Sequence, residues 1–360
     1  MNKVRLYLTV IIALCFGFVS GFSAFSYTSF PKDHGDVYVS GNLKIHFLEL
    51  GNANTGDCVL IQVGNTDVLI DAGSKKTSFE TVNSYLDNNI SDDIIEYVVV
   101  THAHEDHYVN FTTEINIFTE YQVNNIIDFS MSNNVGKNMY NKYISQRDLE
   151  TQNGANHYTA ADCIKGENGG QKIFELGNGI ELEILDNYYY YNESSSENNY
   201  SVCVIINQGD RHFLFTGDLE KDGEKSLVEL NDLPEVELFK AGHHGSVTSS
   251  NEVLLSVIKP KIVVVCCCAG NNEYTNYASS QFPSQAFINR ISIYTDKVYV
   301  TSIGAEGYVG EEGFASFNGN IVVTSSQKGL KVECSNNNTI LKDTDWFKQY
   351  RMVPDAWKGA

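Results

Sequence analysis

Short apolar runs ending on glycine-rich turns alternate along the chain with polar stretches, and the runs predict most of its elements. Residues 43–50 (LKIHFLEL) begin a strand and open the folded part. Residues 58–63 and 67–70 are apolar and separated by Gly64-Asn65, a hairpin composition. Residues 78–86 read as a helix, and residues 94–100 (IIEYVVV) as a fully buried strand that runs into a histidine-rich loop. From about residue 118 to 173 the chain is rich in Asn, Gly, Ser and Tyr without a clear period, and is expected to be an insertion of short helices and loops framing a substrate.

Two further hairpins are predicted, 172–176 turning at Gly177-Asn178-Gly179 into 180–185, and 201–207 turning at Gln208-Gly209-Asp210 into 212–215. Helices at 220–229, 251–258 and 284–291 then alternate with strands at 236–240, 261–268 and 297–302, and a last strand covers 320–325. Strand pairs interspersed with helices suit two sheets packed face to face with helices outside. The tail, 327–360, carries Trp346, Phe347 and Trp357 and is expected to pack on the domain.

The N-terminus has Lys3 and Arg5, then an apolar run from Leu6 to Val19, then Ser20 and Gly21. Residues 1–25 therefore read as an export signal cleaved after Gly21 or as an uncleaved membrane anchor, and residues 26–42 as a tether. Either reading makes the protein extracytoplasmic, secreted or tethered, with any membrane contact through this segment. A formal net charge of −20 repels extended polyanions and argues for a small or single-stranded substrate over a gripped duplex, although a metal pair can still hold a phosphodiester. The eight cysteines follow neither a metal nor a disulfide spacing and are expected as buried free thiols. Cys266, Cys267 and Cys268 cannot share a metal from one strand, whose side chains alternate between faces.

The candidate chemistry lies in the loop after the buried strand, Thr101-His102-Ala103-His104-Glu105-Asp106-His107. A transition metal needs neutral imidazoles and carboxylates converging at about 2.0–2.2 Å. In an extended loop His102 and His104 face one way and can share a first metal, while the turn at Asp106-His107 aims at a second. Asp218, at the end of a strand in Thr216-Gly217-Asp218, can bridge the two, one anion between two cations. His243 and His244 precede Gly245-Ser246; adjacent side chains diverge, and His243 is favoured for the metal with His244 hydrogen bonding to substrate or leaving group, the reverse being nearly as acceptable. Asp71 can orient a ligand histidine from behind, and Lys240 can stabilise an anionic transition state.

In the order of these segments the chain resembles the metallo-β-lactamase fold and, within it, the hydrolase domain of the ComEC/Rec2 competence proteins. Phe47-Leu48-Glu49-Leu50-Gly51, Gly56-Asp57, Leu69-Ile70-Asp71-Ala72-Gly73 and the histidine loop are followed by Asn199-Tyr200-Ser201, Leu214-Phe215-Thr216-Gly217-Asp218 and Gly242-His243-His244-Gly245-Ser246. The resemblance covers residues 43–326 and implies an α/β four-layer αββα sandwich with two divalent metal ions, Zn or Mn, at one edge. It departs in three places, one being that no run of further apolar segments is present, so that the chain resembles the hydrolase half alone. A third first-site histidine is replaced by Asn198 and Asn199, the latter expected to support the site from behind, and a common His-Pro is Phe282-Pro283. The function implied is hydrolysis by a metal-bound hydroxide oriented by Asp106, with phosphodiesters of extracellular DNA or nucleotides as favoured substrates. Hydrolysis of another ester, thioester or lactam, or non-catalytic metal binding at the surface, are the competing readings.

Overall fold

A computed structural model describes residues 39–359; the expected signal or anchor, and the tether up to residue 38, lie outside them. In chain order the strands are β1 (Leu43–Phe47), β2 (Cys58–Val63), β3 (Thr66–Ala72), β4 (Ile94–Val100), β5 (Gln122–Asp128), β6 (Asn156–Thr159), β7 (Ile173–Gly177) and β8 (Ile180–Leu185). They continue as β9 (Cys203–Gln208), β10 (Arg211–Phe215), β11 (Leu238–Lys240), β12 (Ile262–Ala269), β13 (Val298–Ile303), β14 (Ala315–Ser316), β15 (Ile321–Ser326) and β16 (Gly329–Cys334). One eight-stranded sheet has the order β16-β15-β1-β2-β3-β4-β5-β6 and the other β14-β13-β12-β11-β10-β9-β8-β7.

Each sheet starts as antiparallel hairpins and becomes parallel where helices carry the crossovers. β2 and β3 pair in the expected hairpin, with Val63 opposite Thr66, and β3, β4, β5 and β6 then run parallel. In the second sheet β7 to β10 are antiparallel and β10 to β13 parallel. The helix Phe79–Asp87 between β3 and β4 buries Val82 and Leu86, four residues apart on one face.

The two-residue period of the strands separates the layers. Val204, Ile206, Phe213, Phe215, Val264 and Cys266 belong to the core shared with the first sheet, where the rings of Phe47 and Phe215 stack at 6.3 Å. Their neighbours Cys203, Ile205, Leu214, Val263, Val265 and Cys267 pack in a second core with Leu227, Leu254 and Phe287 of the outer helices. The result is the expected α/β sandwich of two sheets with helices outside. The cysteines among the described residues are free, and all but Cys334 are buried.

The middle of the chain is more regular than expected. It adds β5 and β6 to the first sheet and holds a 16-residue helix, Asn138–Asn153. Its sequence hides this, because β5 carries Asn124 and Asn125 and the helix buries only Tyr143 and Glu150, which leaves no amphipathic stripe. The tail also begins with a strand, β16, paired with β15, before the docked helix Asp345–Tyr350 buries Trp346 and Phe347. No helix among the described residues is long and apolar enough to cross a membrane.

Parallel strands of both sheets end at the same edge of the sandwich. Asp71 at the end of β3 and the histidine loop after β4 come from one sheet, Asp218 after β10 and the His243-His244 pair after β11 from the other. Carboxyl ends of parallel strands are where such folds open crevices for ligands.

Candidate metal centre

The histidine loop is held in place by its backbone as well as its side chains. Gly73 packs flush against the Asp106-His107 peptide, where any side chain would run into the Asp106 carbonyl and the His107 nitrogen. Asp71 adopts a φ of +57°, a left-handed conformation that non-glycine residues rarely take. So held, its carboxylate accepts from the Thr101 amide at 2.8 Å, the Thr101 hydroxyl at 2.7 Å and His107 Nδ1 at 2.7 Å. Glu197 accepts from the Ala103 amide, between the two leading histidines, and ties it to Ser132 and Asn133.

Hydrogen bonds to the outer ring nitrogens turn the inner ones toward a common centre. His107 Nδ1 is taken by Asp71, and His244 Nδ1 donates to the Cys266 carbonyl at 2.9 Å. Both Nε2 atoms are left buried without a partner, as are Asp57 Oδ1 and Asp218 Oδ1. His107 Nε2 lies 3.2 Å from Asp218 Oδ2, and His244 Nε2 lies 3.4 Å from both Asp218 Oδ2 and Asp106 Oδ2. Ligands at about 2.1 Å in tetrahedral array stand roughly 3.4 Å apart, so this spacing is that of a ligand shell. A second donor group adjoins it: His102 Nε2 and His104 Nδ1 are 3.0 Å apart, and His102 Nε2 is 3.9 Å from Asp218 Oδ2. Asp218 is common to both groups. One ligand atom each from Asp57, His107, Asp218 and His244 fall within 4.8 Å of one another.

The charges also call for cations. Asp57, Asp71, Asp106 and Asp218 are buried together against a single buried lysine, Lys240. Burial alone would raise the Asp218 carboxyl, but His107, His244 and His243 hold it well below the usual range. Burial likewise works against Asp106, and His244 and His107 keep it ionised. Burial opposes charge on His107 and His244, yet Asp218 with Asp71 raises the first, and Asp218 with Asp57 the second. His102 is lowered by burial and then by His107 and His104, which leaves it neutral as a ligand must be. Orphaned nitrogens, clustered carboxylates and a neutral His102 fit divalent cations at this cluster.

The structure brings together His102, His104, Asp106, His107, Asp218 and His244, and revises four expectations. Of the histidine pair, His244 is fully buried and turned into the cluster. His243 sits at the rim with 21 % of its side chain exposed, its Nε2 3.8 Å from Asp218 and its Nδ1 3.2 Å from the Thr248 hydroxyl. Both residues have positive φ, so the backbone reverses here and sends the second ring inward. Lys240 is 2 % exposed and ion-paired with Asp57 behind the cluster, so it serves as a buried counter-charge and has no path to a substrate. Asn199 turns away, accepting from the Glu220 amide and donating to Ser194; Asn198 lies 3.4 Å from His243 Nδ1 instead.

Two residues not singled out as site residues complete it. Asp57 reaches Lys240 with one oxygen and lies 3.2 Å from His244 Nδ1 with the other. The signal for it was a lone carboxylate between Gly56 and the apolar β2. Tyr274 donates its hydroxyl to Asp106 Oδ2 at 2.8 Å from a loop with no periodicity to mark it.

Comparison with known proteins gives the family. Residues 51–269 match the model of the metallo-beta-lactamase superfamily. ComE operon protein 3 of Bacillus subtilis is 31% identical over 97 residues, which are 26% of this chain and 12% of that protein. Recombination protein 2 of Haemophilus influenzae is 25% identical over 128 residues, 36% of this chain and 15% of that protein. The matched part is thus a small fraction of each relative's length. Among solved structures, the metallo-beta-lactamase fold protein YhfI from Bacillus subtilis aligns over 75% of this chain and 99% of its own, with a TM-score of 0.42 and 10% identity. A putative metal-dependent hydrolase from Parabacteroides distasonis aligns over 64% of this chain and 86% of its own, with a TM-score of 0.34 and 14% identity. With its paired sheets, its family match and a buried histidine-aspartate cluster suited to metal, the chain belongs to the metallo-β-lactamase superfamily.

Proposed function

We propose that this protein is a hydrolase using two divalent cations, zinc or manganese, and that it cleaves phosphodiesters in nucleotides or single-stranded DNA outside the cytoplasm. The observation that carries the reading is the sharing of Asp218 between two donor groups, His102 with His104 and Asp106 with His107 and His244. Cations bound there would lower the pKa of a coordinated water and offset negative charge as it develops on the substrate. The chain's own residues do the positioning. Asp71 and the Cys266 carbonyl fix the His107 and His244 rings, Thr101 and Ser201 flank His102 Nδ1, Tyr274 holds Asp106, and His243 stands at the partly exposed rim.

The phosphodiester class is supported by the relative named for recombination and by the resemblance in motif order. The net charge of −20 favours short or unpaired strands over gripped duplex. The basic start and apolar run before residue 26 support export or tethering, which cell fractionation with an antibody to the folded part would test.

The full chain, stripped of metal and reloaded with Mn or Zn, is assayed on bis-p-nitrophenyl phosphate, a single-stranded oligonucleotide and nitrocefin. The expected result is phosphodiester turnover that His104→Ala abolishes. Turnover of nitrocefin alone would overturn the substrate class, and metal binding without turnover of any of the three would overturn the hydrolase.

A further inference from the structure

The loop between β12 and the helix Gln285–Ile291 carries an aromatic face that the metal centre does not use. Tyr274 lies with its ring 5.3 Å from Phe282 at an interplanar angle of 35°. Phe282 in turn packs 5.8 Å from the His244 ring and 5.9 Å from the His243 ring. Phe282 is buried, whereas Tyr274 is 52 % exposed although its hydroxyl is fixed on Asp106. The Tyr274 ring is therefore packed on Phe282, left half exposed, and anchored against a carboxylate of the metal centre.

The loop is braced at both ends. Glu273 accepts from the Thr55 amide and the Asn54 side chain, each at 2.9 Å, and Arg351 donates to the carbonyls of Gln281 and Pro283. An exposed aromatic ring held rigid beside a reaction centre is a binding surface made in advance, since little conformational freedom remains to be lost when a flat ligand covers it.

We infer that the exposed part of the Tyr274 ring, backed by Phe282, stacks the base of a nucleotide whose phosphodiester lies at the metal centre. This rests on the phosphodiester reading above and adds to it that the substrate carries a planar ring next to the bond that is cleaved. Stacking tolerates any base, because every base has a π face, so the ledge selects nucleotides over alkyl phosphodiesters without reading sequence. It also gives affinity that does not depend on a basic groove, which suits a chain of net charge −20.

The test compares thymidine 5′-p-nitrophenyl phosphate with methyl p-nitrophenyl phosphate on the metal-loaded full chain, as the ratio of their kcat/KM values. Tyr274→Phe keeps the ring and loses the hydroxyl; Tyr274→Leu loses both. The wild-type ratio is expected to favour the thymidine ester about tenfold or more, to persist within about twofold in Tyr274→Phe, and to collapse toward unity in Tyr274→Leu. Because it is a ratio, damage to Asp106 positioning that lowers both rates cancels. A ratio near unity in the wild type, or one unchanged in Tyr274→Leu, overturns the ledge.

Saturation-transfer NMR with thymidine 5′-monophosphate, in the presence of chelator, reads the same contact without turnover. Transfer to the thymine protons that Tyr274→Leu abolishes, with no hydrolysis of either ester, upholds the ledge and overturns the phosphodiesterase. Hydrolysis of both esters with equal efficiency and no transfer does the opposite.

Discussion

Asp71 Oδ2 and His107 Nδ1 are 2.7 Å apart in a fully buried contact, and the aspartate reaches that position only by taking a φ of +57°. Strained backbone of this kind persists where the surroundings over-determine it, and here two hydrogen bonds from Thr101 do so. The contact settles which nitrogen of His107 carries the proton and leaves Nε2 free to bind metal. Asp71→Asn keeps the shape and loses the charge, and the expected outcome is roughly 10- to 100-fold weaker metal binding, the range for such supporting partners. Competition with a fluorescent chelator measures it.

The inward turn of His244 predicts an asymmetry between adjacent residues. His244→Ala is expected to lower the metal content counted by mass spectrometry of the loaded protein, whereas His243→Ala retains the wild-type content and changes turnover. Equal metal loss in the two variants would contradict the geometry in which His244 is buried and His243 faces the rim.

The Lys240–Asp57 pair predicts a stability effect separable from chemistry. Lys240→Met leaves the Asp57 charge buried beside Asp218 without its cation, and loss of one partner from a buried pair costs about 3–5 kcal/mol. Adding Asp57→Asn removes the stranded charge and is expected to restore part of the loss. Urea denaturation of the metal-free proteins gives both numbers.

Two buried groups around Gln62 predict opposing pH dependences. Burial, reinforced by Lys44, lowers His46 from 6.5 to about 4, so the unfolded chain takes up that proton first. Its contribution is complete above pH 6.5 and is lost as pH falls toward 4. Burial raises Asp67 from 3.8 to about 6, so its contribution is complete below pH 3.8 and is lost as pH rises through 6. Relative to wild type, Asp67→Asn is expected to lose about 1 kcal/mol between pH 6.5 and 4.5, allowing for solvent screening, and His46→Gln to gain about 2 kcal/mol over the same interval. Urea midpoints at the two pH values check both signs.

The sequence disclosed the parts of the site that are contiguous. His102, His104, Asp106 and His107 stand in one loop after an apolar strand, and Asp218 ends another, so composition and strand position sufficed. The roles of His243 and His244 could not be read, because they depend on a backbone reversal with φ of +46° and +53° that leaves no residue-type signature. Sequence position made Lys240 a candidate for stabilising an anionic transition state, because its partner, Asp57, lies far away in sequence on the other sheet. β5 and the helix Asn138–Asn153 escaped because polar residues occupy positions that the periodic patterns reserve for apolar ones.

Arg351 ties the C-terminal segment to the loop beside the metal centre. Its guanidinium grips the carbonyls of Gln281 and Pro283, its plane stacks 4.5 Å from the Trp346 ring, and Trp346 is buried against the second sheet. Every metal-facing side chain among the described residues precedes residue 245, more than a hundred positions before Arg351. The C-terminal segment therefore supplies none of the ligands and yet buttresses the aromatic wall beside them.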